Sequence, residues 1–184
     1  MTARAQNRAG LMRRTAAACL ALGLFAPAAA TAQTTASFQV SAAIVPGCEV
    51  NGATPAAGAS VGQIGTLDFG THSALATGQV TATMVRSAGF TLACTPSVAL
   101  AMTLDGGLHA AGGRNLQAQG GPERIAYRLY SDAAFSQELL TGQAVPLAFS
   151  TPSSVALPVY ARLTLPGNAR PAVYSDTVVV TLAW

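Results

Sequence analysis

Two short stretches place an aspartate four residues before a histidine. "DFGTH" holds Asp68 and His72, and "DGGLH" holds Asp105 and His109. On a helix that spacing would put carboxylate and imidazole on one face, as an acid–base or metal-binding pair needs. Glycines interrupt both stretches, so neither is read as a helix, and the four side chains are read as solvated loop residues. The glycine pairs are not followed by lysine, so no phosphate-binding loop is implied. Past residue 32 the only thiols are Cys48 and Cys94, 46 residues apart and without C-x-x-C spacing or a nearby histidine. A metal pair is therefore disfavoured against a single disulfide. No catalytic, cofactor-binding or metal-binding constellation emerges. The expectation is a protein that is not an enzyme and carries no cofactor.

The elements that would position these residues begin after a leader. "MTARAQNRAGLMRR" carries four arginines and no acid, an apolar alanine-rich run follows, and Ala30-Thr31-Ala32 closes it. Basic region, short apolar region and small-residue cleavage pattern make a secretory signal peptide over residues 1–32, cut after Ala32. Cys19 lies too early in the apolar run for lipidation. The full chain has 10 basic and 7 acidic residues. Four arginines leave with the leader, so 6 remain against 7, a net charge of −1. That excludes an electrostatic footprint for nucleic acid. Lysine is absent, which excludes lysine-based covalent polymerisation.

The remaining residues suit one domain. No stretch keeps a 3.6-residue apolar period for three turns, whereas period two recurs throughout. "SFQVSAAIV" aligns Phe38, Val40, Ala42 and Ile44, and "GFTLACT" aligns Phe90, Leu92 and Cys94. "SVALAMTLDGG" aligns Val98, Leu100, Met102 and Leu104, and "RIAYRLYSD" aligns Ile125, Tyr127 and Leu129. "PVYARLTLPG" aligns Val159, Ala161, Leu163 and Leu165. The final "YSDTVVVTLAW" aligns Val178, Val180, Leu182 and Trp184. "GQVTATMV" is a weaker seventh. Glycine-, proline- and asparagine-rich segments separate these runs. Short strands at such spacing with one disulfide imply an all-β, immunoglobulin-like antiparallel sandwich, although no tryptophan lies between the cysteines.

The last strand, residues 177–184, needs a neighbour on its edge and a cover for its apolar face. The stretch 38–44 could supply both by lying beside the last strand of another copy. Burying Phe38, Val40 and Ile44 there would stabilise the contact by about 5–9 kcal/mol. Periodicity alone leaves open whether residues 37–45 do this or form an ordinary first strand of their own domain.

The run of motifs resembles the spore coat protein U domain, the subunit domain of archaic chaperone–usher pili. The carriers are "FQVSAAIVPGC", "LDFG", "FTLACT", "LDGG" followed by "GGRNL", "IAYRLYSD" and "AVYSDTVVVTLAW". Loops 51–65 and 141–158 carry no family mark. The resemblance implies an incomplete sandwich lacking its final strand, with a donor-strand segment at 33–45 and the pilin domain at 46–184. It implies donor residues Phe38, Val40, Ala42 and Ile44, the disulfide Cys48–Cys94, and a groove-edge, chaperone-docking strand with Val178, Val180, Leu182 and Trp184. The implied partners are a periplasmic pilus chaperone, an outer-membrane usher and other pilin subunits, in a homo- or hetero-polymer. The implied location is a cell-surface pilus reached through the periplasm, serving adhesion and biofilm formation. A shaft or adaptor subunit fits the length better than a tip adhesin. The alternative is a self-complete secreted coat or carbohydrate-binding β-sandwich protein.

Overall fold

The computed structural model describes residues 33–184; the leader and Cys19 lie outside the described residues. The chain divides into two units with the boundary between Ala42 and Ala43. In the first, residues 33–42 form no strand and are exposed. The second holds twelve strands and, among the described residues, no helix.

In chain order the strands are β1 Cys48–Val50, β2 Gly65–Thr66, β3 Thr77–Thr83, β4 Val85–Arg86, β5 Leu92–Cys94 and β6 Leu100–Leu104. They continue with β7 Arg114–Ala118, β8 Arg124–Tyr130, β9 Val145–Leu147, β10 Tyr160–Pro166, β11 Tyr174–Ser175 and β12 Val180–Ala183. One sheet runs β11-β7-β8-β10-β3 and another β12-β6-β9, with the pairs β1-β5 and β2-β4 beside them. Every strand pair is antiparallel. The result is the all-β, immunoglobulin-like sandwich that the alternation implies, with the Cys48–Cys94 disulfide in place.

The alternating runs fold as strands because one face of each can be buried. Leu100, Met102 and Leu104 of β6 point inward, as do Ile125, Tyr127 and Leu129 of β8 and Ala161 and Leu163 of β10. Cys48 and Cys94 face each other in register on β1 and β5, and both are buried. The weak seventh run, "GQVTATMV", falls largely in the seven-residue β3, which pairs with β10 over its whole length. Only Ala82 of β3 is buried, so the strand is held by ladder hydrogen bonds more than by apolar burial. Loop residues Leu139, Val155 and Leu157 complete the core.

Two departures from the expected strands matter below. The final strand is shorter than residues 177–184, because residues 176–179 leave the regular ladder. A strand absent from the sequence reading, β7, carries two buried polar residues, Arg114 and Asn115.

Candidate functional site

Among the described residues, strand β12 hydrogen-bonds to β6 on one side only, and β1 to β5 on one side only, so each has an edge with no described strand on it. The start of β1 and the end of β12 come close together. A Cβ placed on Gly47, the residue before β1, would lie 3.8 Å from Trp184 Nε1, just past β12. Along β12 and its lead-in, Val178, Val180 and Leu182 pack against the core but are only half-buried. Trp184 is 44% exposed. Residues 177–184 contain no charged residue and no proline. Natural sheets protect exposed edges with such residues or cover them. An uncharged open edge above half-covered apolar side chains is a surface suited to accepting a further strand.

The lead-in to β12 is held by side chains together with two backbone bonds, one of them from Leu108 N–H to the Thr177 carbonyl at 3.1 Å. Asp105, one residue past β6, donates its backbone N–H to the Val179 carbonyl at 3.0 Å. Its carboxylate Oδ1 accepts from Val179 N–H and from Gly107 N–H, each at 2.9 Å. Asp176 accepts from the Tyr127 hydroxyl at 2.7 Å and from His109 N–H at 3.1 Å. Gly107 has φ +80°, and a Cβ there would collide with the Asp176 carboxylate. Glycine is needed at 107 both for the left-handed backbone and for the close approach. Burial first, then the hydrogen bond to Asp176, raises the Tyr127 phenol well above its ordinary range. It stays neutral and keeps donating.

Arg114 completes this group from β7. Its guanidinium is buried and donates to the carbonyls of Asp105 at 2.8 Å, Leu139 at 2.6 Å and Leu104 at 3.3 Å. Burial lowers its pKa, opposed by the surrounding acidic groups. Asn115 beside it donates to the carbonyls of Gly113, Ala111 and His109. The motifs "LDGG", "GGRNL", "IAY" and "YSD" thus converge on one polar knot. It ties the end of β6 and the start of β12 to β7 and β8 of the other sheet.

The aspartate–histidine pairs do not act as pairs. Asp68 accepts from Gly70 N–H at 2.8 Å, and His72 Nε2 donates to the Phe69 carbonyl at 2.7 Å, closing a local turn. His109 enters the knot through its backbone, its N–H donating to Asp176 and its carbonyl accepting from Asn115. A concavity of about 840 Å³ on the five-stranded sheet is lined in part by Arg124, Arg128 and Arg162. Arg124 donates to Gln117, Arg128 pairs with Glu138, and Arg162 donates to the Tyr130 hydroxyl. These groups offer no nucleophile and no acid–base pair.

The exposed stretch carries the apolar residues singled out in the sequence. Phe38 is 86% exposed, Val40 80% and Ile44 95%. Ala42 is exposed as well. None lies in a strand.

Sequence comparison places both the stretch and the open edges in one family span. The model of the Spore Coat Protein U domain matches residues 34–181. The chain belongs to the Spore Coat Protein U domain family. The family span begins before Phe38 and ends within β12, so the donor candidates and Val178 and Val180 fall inside it, while Leu182 and Trp184 lie just past its end. No curated protein sequence matches the chain. A solved structure described as the CsuC–CsuE chaperone–tip adhesion subunit pre-assembly complex from archaic chaperone–usher Csu pili of Acinetobacter baumannii is similar to it at 14% identity, with a TM-score of 0.46. The match covers 77% of this chain and 40% of that chain, so this chain spans about two fifths of its length. A similarity of that degree does not extend to function.

Proposed function

We propose that this Spore Coat Protein U domain protein is a structural subunit of a cell-surface fibre assembled by the chaperone–usher route. Residues 1–32 are the export signal, residues 33–45 the donor-strand segment and residues 46–184 the pilin domain. Phe38, Val40, Ala42 and Ile44 of one copy lie along the open edge of β12 in the next and cover Val178, Val180 and Leu182, with Trp184 at the end of that edge. Before assembly a periplasmic chaperone covers the same edge, and an outer-membrane usher exchanges it for the donor segment of the incoming subunit. The finished fibre serves adhesion and biofilm formation.

One observation carries this reading. Among the described residues, a single chain holds an exposed, alternating apolar segment with no strand partner and, separately, an uncharged strand edge with no strand partner. Each supplies what the other lacks. Strand addition meets both needs, through main-chain pairing and through apolar burial of about 5–9 kcal/mol for Phe38, Val40 and Ile44.

The test is to replace Val40 and Ile44 with aspartate, one at a time. A charge buried without a partner costs several kcal/mol. In a donor segment that cost falls on the neighbouring subunit. The variants then reach the periplasm at near-normal levels with chaperone, yet fail to enter surface polymer. Loss of the periplasmic pool together with the polymer would assign residues 37–45 to their own sandwich. Unchanged polymer would mean that the segment is buried nowhere.

A further inference from the structure

The acceptor strand has an unusual support. Most of a strand edge is fixed by continuous ladder bonds, but the lead-in to β12 has only two, from Asp105 N–H to the Val179 carbonyl and from Leu108 N–H to the Thr177 carbonyl, and two carboxylates supplement them. Asp105 serves Val179 from both its backbone N–H and its side chain. Asp176 is anchored by the Tyr127 hydroxyl, which comes from β8 in the opposite sheet, and by His109 N–H from the turn that follows β6. Arg114 draws the carbonyls of Leu104 and Asp105 into the same knot. All of these bonds lie on the β6 side of β12 or beneath it, and none uses the open edge.

We infer that Asp105 and Asp176 are positioning residues for strand addition: they hold residues 176–179 in register with the end of β6, so that the free edge of β12 is already formed when a strand arrives. The inference rests on the reading of β12 as the acceptor edge. The register at issue is Val180 opposite Leu104 and Leu182 opposite Met102. A shift by one residue would turn Val178, Val180 and Leu182 away from the core and put Thr177, Val179, Thr181 and Ala183 in their place. An edge ordered beforehand also spares the incoming strand the entropy of ordering its partner, which speeds binding.

The carboxylates do this with little rigid structure of their own. Asp105 caps its own turn through Gly107 N–H while it receives Val179 N–H. Turn and strand lead-in are therefore ordered together. Neutral asparagine at 105 offers the same acceptor oxygen, whereas alanine offers none.

The experiment uses the full exported chain isolated from the periplasm and a synthetic peptide of residues 36–46 as the probe. Amide hydrogen exchange is followed with and without peptide, and peptide association is followed by fluorescence. In the unaltered chain the amides of Val179 and Asp105 are protected without peptide. Asp105→Ala speeds exchange at Val179 about tenfold or more and slows peptide association by a similar factor. Exchange in the β8–β10 pair stays unchanged, and Asp105→Asn restores most of both effects. Tyr127→Phe, which keeps the ring and removes one donor to Asp176, shifts both readouts in the same direction by a smaller factor. A purely structural role would speed exchange across all strands together and leave association by the folded fraction unchanged, which would overturn the inference. So would solvent-limited exchange at Val179 in the unaltered chain. If the peptide binds the unaltered chain and all variants at the same rate, the positioning role falls while the acceptor edge stands. If it protects no β12 amide in the unaltered chain, the acceptor reading itself falls, and the inference with it.

Discussion

The Tyr127 hydroxyl donates to Asp176 Oδ2 at 2.7 Å, joining the middle of β8 to the residue that leads the chain into β12. It is a hydrogen bond to a charged acceptor on a side chain that is otherwise buried. Tyr127→Phe should lower stability by about 1–2 kcal/mol. Chemical denaturation of the exported chain at one fixed concentration of the 36–46 peptide measures this, because a bound strand adds to apparent stability.

The same phenol gives a pH dependence. Its folded-state pKa is raised by burial and by Asp176, while in the unfolded chain it ionises near pH 10. Above that value the unfolded state has released a proton that the folded state still holds, so stability falls as pH rises. The contribution is fully present below about pH 10 and is lost progressively above it. Denaturation midpoints from pH 8 to pH 11 should fall more steeply for the unaltered chain than for Tyr127→Phe. Parallel curves would remove Tyr127 as the cause.

Gly107 and Gly112 separate backbone strain from contact. Both have positive φ, +80° and +67°. Alanine at 112 meets nothing within 4 Å, whereas alanine at 107 runs into the Asp176 carboxylate. Gly112→Ala should cost about 1–2 kcal/mol from the left-handed backbone alone. Gly107→Ala should cost clearly more, with the excess appearing as faster exchange at residues 176–179. Equal losses would mean that the carboxylate is free to move aside.

The disulfide closes a loop with a sequence separation of 46 between β1 and β5. The chain-entropy model assigns such a loop about 4 kcal/mol. Replacing both cysteines with serine should lower the denaturation midpoint accordingly and reduce the level of exported protein. Alkylation of the unreduced protein followed by mass spectrometry should find neither thiol modified.

The strands that the sequence made legible are those whose alternation matches one buried face: β6, β8 and β10. Strand β7 was not legible because "RNLQA" buries Arg114 and Asn115: the carbonyls that satisfy Arg114 come from Leu104, Asp105 and Leu139, whereas those that satisfy Asn115 come from the turn just before it. Strand β3 was faint because only the small Ala82 is covered. The last strand looked longer than it is. Its alternation continues through Thr177–Val179, but there the Asp105 carboxylate, 74 residues away, takes the Val179 N–H, and only isolated backbone bonds remain. The reading of Asp105 as a solvated loop residue fell short in the same way: Asp105 and Asp176 have partners set by the fold and not by local spacing. A usable signal was present, since one aspartate directly follows the β6 run and another directly precedes the final apolar run. The open edges were foreseeable from the alternation of residues 177–184, whereas the knot that supports them required the structure.

The proposed function requires donor and acceptor to belong to different copies, and isotope-mixed photo-crosslinking tests that most directly. Equal amounts of ¹⁴N and ¹⁵N chain carrying a diazirine amino acid at Ile44 are assembled, illuminated, digested and analysed by mass spectrometry. Residue 44 should be joined to peptides from 178–184 or 47–50, with mixed-isotope pairs as abundant as same-isotope pairs. Crosslinks confined to same-isotope pairs, or falling outside those two segments, would contradict strand exchange between subunits.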